Sequence, residues 1–165
     1  MKRNQTLHEK LIPLIVEGIG ARSYLEFGTH LNETISGVRC EKRYGVDINP
    51  IVTPGVHVFQ MTTAEFIENH AAQHAPFDVV FIDADHSAES VRSDFFGIID
   101  HVSADGLILL HDTNPETVVD THRDLCGDAW KFAEVLWNDQ YEAVTLPYHP
   151  GLTIVRLRRG WGPQI

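Results

Sequence analysis

Short apolar runs recur along the chain with amphipathic stretches between them, and no fixed repeat or low-complexity linker interrupts the series. That alternation predicts an α/β fold. Thr6-x-x-Glu9 reads as a capping box opening a first helix, with Leu7, Leu11, Leu14 and Ile15 turned to one side and Pro13 expected to kink or split it. Strands are predicted over Ser23–Phe27, Arg43–Asp47 and Val56–Met61, with a short helix over Leu31–Val38 between the first two. A second capping box, Thr62-x-x-Glu65, starts a helix reaching about His74. Phe77–Asp83 holds the unbroken apolar run Val79–Ile82, and Leu107–Leu110 forms another. Such runs suit neighbouring strands buried on both faces. Between them Ser87–Val102 spaces Val91, Phe95, Ile98, Ile99 and Val102 as a helix, and Asp105-Gly106 is expected to turn the chain into the next strand.

The tail follows another pattern. A polar loop over Thr113–Gly127 and a helix around Ala129–Trp137 precede two strands, Tyr141–Leu146 and Leu152–Leu157. The link between those strands, Pro147-Tyr148-His149-Pro150-Gly151, is too short for a parallel crossover, so the sheet is expected to end in an antiparallel hairpin. Parallel α/β sheets bind ligands outside the carboxyl ends of their strands, which directs the search for chemistry to the residues that finish each strand.

Composition narrows the picture. The 165 residues, 43% hydrophobic and 22% charged, suit a single globular domain (1–165), with an N-terminal helical segment over 1–20 and the core over 21–158. The 13 Lys and Arg against 23 Asp and Glu leave a formal charge of −10, which repels phosphate backbones and anionic membrane surfaces, so neither nucleic acid nor a membrane is expected as partner. Cys40 and Cys126 lack C-x-x-C spacing, and no long apolar segment opens the chain, which points to a cytoplasmic protein. A homo-oligomer stays open. Ten histidines, several beside carboxylates, are the one compositional oddity.

The first strand runs out through Glu26-Phe27-Gly28-Thr29-His30, where a glycine permits a tight turn and close approach to a ligand. The second ends at Asp47, nineteen residues after Gly28, the separation at which a carboxylate can accept from two ribose hydroxyls. Together they suggest a nucleoside cofactor. The next two strand ends read Asp83-Ala84-Asp85-His86-Ser87 and His111-Asp112-Thr113-Asn114. Adjacent parallel strands would converge these carboxylates and imidazoles, a combination that binds a divalent cation. Asp85 is read as a helix cap, whereas Asp83 and Asp112, each closing an apolar run, are read as functional.

The segments LEFGTHLNET, YGVDINP, FDVVFIDADHSAESVRSDF, GLILLHDT and VTLPYHPGLTIVRL, in this order over roughly residues 20–158, resemble the class I S-adenosylmethionine-dependent methyltransferases, specifically a small-molecule O-methyltransferase-like subgroup. The resemblance implies a Rossmann-like, doubly wound, mostly parallel seven-stranded sheet of order 3-2-1-4-5-7-6 ending in an antiparallel hairpin. It implies that Glu26, Gly28 and Thr29 line the methionine moiety of S-adenosylmethionine and that Asp47 holds the ribose. Thr62 and Thr63, in the turn after Met61, would face the adenine. Asn32, Ile48, Asp83 and Ala84 complete the expected cofactor set. Asn32 stands where a second glycine is usual, and Thr62 where an acidic residue often receives the adenine amino group. Likeness to divalent-metal-dependent sugar and catechol-type relatives suggests Asp83, His111 and Asp112 as ligands for Mg, Mn, Fe or Zn.

The expected activity is methyl transfer to a hydroxyl of a small polar acceptor such as a sugar or glycan unit. His86, three residues past Asp83, is the candidate general base, since an imidazole pKa of about 6.5 suits proton uptake near neutrality; the competing reading makes it a helix-start histidine without chemistry. Two rival functions use the same residues. One is a metal-dependent hydrolase or oxygenase built on the Asp/His cluster. The other is a non-catalytic S-adenosylmethionine-binding module, because only the N-terminal helix and Thr113–Gly127 are left to shape an acceptor site.

Overall fold

The central strands of the sheet are explained by what their two faces bury. The computed structural model describes residues 5–136 and 140–158; Trp137, the expected end of the last helix, lies outside them. The elements in chain order are α1 (Leu7–Gly18), β1 (Ser23–Phe27), α2 (Glu33–Gly37), β2 (Lys42–Asp47), β3 (His57–Gln60), α3 (Thr63–Asn69), α4 (Ala71–His74), β4 (Phe77–Ile82), α5 (Ala88–Ile98), β5 (Val102–His111), α6 (Ala129–Val135), β6 (Tyr141–Leu146) and β7 (Leu152–Leu157). The seven strands form one sheet in the order β3-β2-β1-β4-β5-β7-β6. β7 runs antiparallel to both β5 and β6, and the other pairs are parallel. This is the α/β Rossmann-like architecture with the expected closing hairpin.

The apolar runs are continuous because both faces of the central strands are covered. Val80 and Ile82 of β4 join Leu25, Phe27 and Val46 against Phe66 of α3, Phe95 of α5 and Phe132 of α6. Val79 and Phe81 point the other way, with Tyr24 and Leu109, against Ile12 and Val16 of α1 and Ile35 of α2. Burying each such side chain contributes roughly 1.5–3 kcal/mol, which outweighs local preferences elsewhere in the chain.

Pro13 shows that balance. It does not split α1, which is a single helix through Gly18. The missing N–H is tolerated because Ile12 and Val16 anchor the helix, and because Gly37 leaves room for the ring: a Cβ there would lie 3.0 Å from Pro13 Cγ. The buried side of α1 is Glu9, Ile12 and Val16, whereas Leu7 and Leu14 are exposed. Of the expected face, Leu11 and Ile15 pack partly buried against the core, whereas Leu7 and Leu14 do not, since α1 packs across both the sheet and α2.

Other boundaries shift where packing overrides pattern. The predicted helix over residues 62–74 is broken at His70, whose φ of −128° is not helical. The helix over Leu31–Val38 shortens to Glu33–Gly37, because Asn32 adopts a left-handed φ of 60°. The Ser87–Val102 helix ends at Ile98 and passes through a 3-10 turn, Ile99–His101. β5 then begins at Val102, so Asp105-Gly106 lies inside the strand and not before it. Phe77 pairs with Val102 and Val79 with Leu107, so a bulge on β5 absorbs the extra residues.

Candidate functional site

The carboxyl ends of β1, β2, β4 and β5 are stitched together by backbone hydrogen bonds. Gly28 N donates to Val46 O at 2.9 Å, and Asp83 N donates to Phe27 O at 2.9 Å. Gly28 has φ +80°, and a Cβ there would lie 2.2 Å from Asp83 O, so a side chain would drive β1 and β4 apart. The resulting mouth opens into a cavity of about 890 Å³.

One end of this cavity is organised by Asp47. Its Oδ2 accepts from His30 N at 2.9 Å and its Oδ1 from Asn49 N at 2.8 Å, so one carboxylate fixes the loops after β1 and β2. A carboxylate has further lone pairs, and these remain for a ligand's hydroxyls. Glu26 forms part of the floor. Burial pushes its carboxyl well above the usual carboxylate range; the Tyr24 hydroxyl, donating at 2.5 Å, pulls it back, and Asp83 adds to the rise. Thr29 is buried beside it, with its hydroxyl unpartnered among the described residues.

The other end is the cluster of carboxylates and imidazoles. His111 Nδ1 donates to Asp83 Oδ1 at 2.9 Å and lies 3.4 Å from Asp112 Oδ2. Burial works against a charged His111, but Asp83 and Asp112 outweigh it and hold the imidazole up at about 10. Burial likewise raises Asp112, yet the hydrogen bond and charge of His111 prevail and leave it below the usual range. His86 meets Asp112 from the other side, with Nε2 3.4 Å from Oδ2, and its Nδ1 is hydrogen-bonded to the Leu125 carbonyl. The His86 carbonyl accepts from Asp128 N and Ala129 N, both at 3.0 Å, which ties this residue to the start of α6. Asp85 does not cap α5: its Oδ1 accepts from Ser87 N at 2.8 Å, and Ser87 is the N-cap, its hydroxyl accepting from Ser90 N at 3.2 Å.

Of the residues expected to contact a cofactor, Glu26, Gly28, Thr29, Asp47, Asp83 and Ala84 line the cavity. Asn32, Ile48, Thr62 and Thr63 do not. The Asn32 amide is buried and turned to the loop beyond β2, donating to Ile51 O at 2.6 Å and Thr53 Oγ1 at 3.0 Å. Ile48 projects outward. The Thr62 hydroxyl is engaged with Glu65 in its capping box, and Thr63 is hydrogen-bonded to Asp94.

The metal-competent groupings also differ from expectation. Among the described residues, ligand atoms lie within 4.8 Å of one another in two triples, His8–Asp83–His111 and Asp83–His86–Asp112. Asp83, His111 and Asp112 do converge, but with His111 Nδ1 between the carboxylates. His8 was not singled out by sequence reasoning. The histidine-rich composition was the only signal, since nothing local to the capping box at Thr6–Glu9 links it to strand ends more than seventy residues away. Burial, reinforced by the charge of His111, lowers His8 to about 4.

A family model described as a methyltransferase domain matches residues 22–113. No curated protein matches the chain. Among solved structures, cofactor-bound Rv0187 from MTB is similar at 17% identity, covering 96% of this chain and 83% of that one, with a TM-score of 0.73. An O-methyltransferase from Bacillus cereus in complex with SAH is similar at 17% identity over 94% of this chain and 83% of that one, with a TM-score of 0.70. The MycE methyltransferase of mycinamycin biosynthesis, in complex with Mg and SAH, gives 18% identity over 87% of this chain and 49% of that one, with a TM-score of 0.61. At these identities the likeness is one of fold. Among the described residues no helix is long and apolar enough to cross a membrane.

Proposed function

The chain belongs to the methyltransferase domain family, of the class I S-adenosylmethionine-dependent type, and from that premise we propose that it methylates a hydroxyl of a small polar acceptor such as a sugar or glycan unit. The observation that carries this reading is one cavity with Asp47 at one end and the Asp83, His86 and Asp112 cluster at the other. Three strand spacings in the order β2-β1-β4-β5 separate the ends, roughly 14 Å at ~4.8 Å each, which suits a nucleoside at one end and a reacting centre at the other.

S-adenosylmethionine, when bound, supplies an electrophilic methyl carbon on a sulfonium. The residues of the chain bind, align and deprotonate. Asp47, held rigid by two backbone N–H groups, accepts from the ribose hydroxyls. Alignment of acceptor oxygen with methyl carbon is the main contribution a protein makes to an in-line displacement. With the Leu125 carbonyl keeping a proton on Nδ1 of His86, Nε2 is left to take the acceptor's hydroxyl proton, and Asp112 at 3.4 Å stabilises the imidazolium that results.

The donor set also fits a divalent cation. Asp83 and Asp112 share one of the two groups, with His86, whose ligand atoms all lie within 4.8 Å of one another among the described residues. Mg, Mn, Fe or Zn would be held by Asp83 and Asp112, and such an ion would supply Lewis acidity that lowers the pKa of an acceptor hydroxyl, leaving His86 Nε2 to take the proton. The unpaired thiols Cys40 and Cys126 accord with a reducing, cytoplasmic setting.

The test pairs calorimetric titration with S-adenosylhomocysteine against transfer of labelled methyl from S-adenosylmethionine to a panel of sugars, catechols and simple polyols. Binding together with a labelled methyl ether is expected. Binding with no transfer to any hydroxyl would overturn the acceptor reading.

A further inference from the structure

The first turn of α1 reaches the reactive cluster from outside the sheet. Thr6 N donates to the Glu9 carboxylate at 3.2 Å, which fixes the start of the helix and sets His8 on the cavity wall. The His8 ring lies edge to face against His111, with centroids 4.2 Å apart, and 6.0 Å from the ring of Phe81. One ring nitrogen of each histidine and one carboxylate oxygen of Asp83 fall within 4.8 Å of one another. The His111 side chain is only 10% exposed, and its Nε2 has no hydrogen-bond partner among the described residues. A buried polar nitrogen in that state carries a desolvation cost that a ligand would offset.

We propose that His8, Asp83 and His111 form a metal site that takes a borderline divalent ion, Zn(II), Mn(II) or Fe(II), ahead of Mg(II), and that the ion clamps the start of α1 onto the ends of β4 and β5. Two imidazoles with one carboxylate make a nitrogen-rich donor set, whereas Mg(II) favours oxygen ligands and gives up its water reluctantly. His8 lies fourteen residues before the matched methyltransferase domain begins, so the clamp joins a segment outside that match to its strand ends. Asp83 also groups with His86 and Asp112 on the same cavity wall, which couples the position of α1 to those side chains. The site stands whether or not the acceptor is a sugar.

The competing role for His8 is aromatic packing against Phe81 and His111, and His8→Phe separates the two because it keeps the ring and removes the ligand nitrogen. The full chain is stripped with chelator and titrated with Zn(II) and Mg(II) by calorimetry, with hydrogen exchange followed over residues 7–18. The parent is expected to bind Zn(II) at least tenfold more tightly than Mg(II) and to gain protection across α1. His8→Phe, folded by circular dichroism, is expected to lose at least tenfold in Zn(II) affinity together with that protection. Unchanged Zn(II) affinity and α1 protection in His8→Phe, or a parent that prefers Mg(II), overturns the site. Should the variant not fold, parent crystals soaked in Zn(II) decide: an anomalous peak about 2.0–2.2 Å from ligand atoms of His8, Asp83 and His111 supports the clamp, and zinc bound elsewhere alone refutes it. A parallel titration with S-adenosylhomocysteine shows separately whether the methyltransferase reading has failed.

Discussion

His111 and Asp83 meet across the neighbouring ends of β5 and β4, with Nδ1 donating to Oδ1 at 2.9 Å, so the charge on one buried imidazole is set by a carboxylate from the next strand. Asp112, 3.4 Å from His111 Nδ1, remains as a second partner when Asp83 is removed. Asp83→Ala in the metal-free protein is therefore expected to lose about 1–3 kcal/mol of stability at pH 7, the cost of one charge-assisted hydrogen bond, measured by urea unfolding. A loss below 1 kcal/mol would mean that the pair is solvated in solution.

Asp47→Ala is expected to weaken S-adenosylhomocysteine binding about ten- to a hundredfold, from roughly 1.5–3 kcal/mol of charge-assisted hydrogen bonding. Asp47→Asn should fall between the two, since its amide oxygen can still accept from His30 N or Asn49 N. Calorimetric titration of all three proteins gives the order. Equal affinities would move the nucleoside away from the end of β2.

His86→Ala is expected to lower turnover about 10²–10⁴-fold while leaving cofactor affinity close to that of the parent, because a base acts in the transition state. Turnover is followed against pH with metal and acceptor saturating. A histidine that only positions the start of α6 through its carbonyl would leave rate and profile unchanged in the variant.

Asp94 provides a test away from the cavity. Burial raises its carboxyl to about 6, against the hydrogen bond from Thr63 that lowers it. A folded-state value above the unfolded one makes its contribution to stability fullest below about pH 4, and this is lost as pH rises through about 6. At pH 7 the buried charge is a liability. Asp94→Asn is therefore expected to raise stability there by something on the order of 2–3 kcal/mol, with the gain vanishing near pH 4. Denaturant midpoints of both proteins from pH 4 to 8 would show the crossover, and a constant difference across that range would rule it out.

Much of the fold was legible in the residues themselves. Val79–Ile82 and Leu107–Leu110 announce strands covered on both faces because an unbroken apolar run has no solvent face to offer. The hairpin at Pro147–Gly151 follows from chain length alone, since five residues cannot cross over a sheet. Gly28 and Asp47 were likewise visible, because a strand end, a turn glycine and a carboxylate at fixed separation are local features of a βαβ unit.

What the tertiary structure decided is which side chains meet. Asn32 and Thr62 turn from the cavity because the loop after β2 takes the Asn32 amide and a helix cap takes the Thr62 hydroxyl. The face of α1, and with it the arrival of His8 beside His111, depends on how that helix packs on the sheet and on α2. Spacing along a chain specifies contacts only within one element or one turn. Contacts between a helix start and strand ends more than seventy residues away are set by strand register and helix packing, which no local pattern encodes.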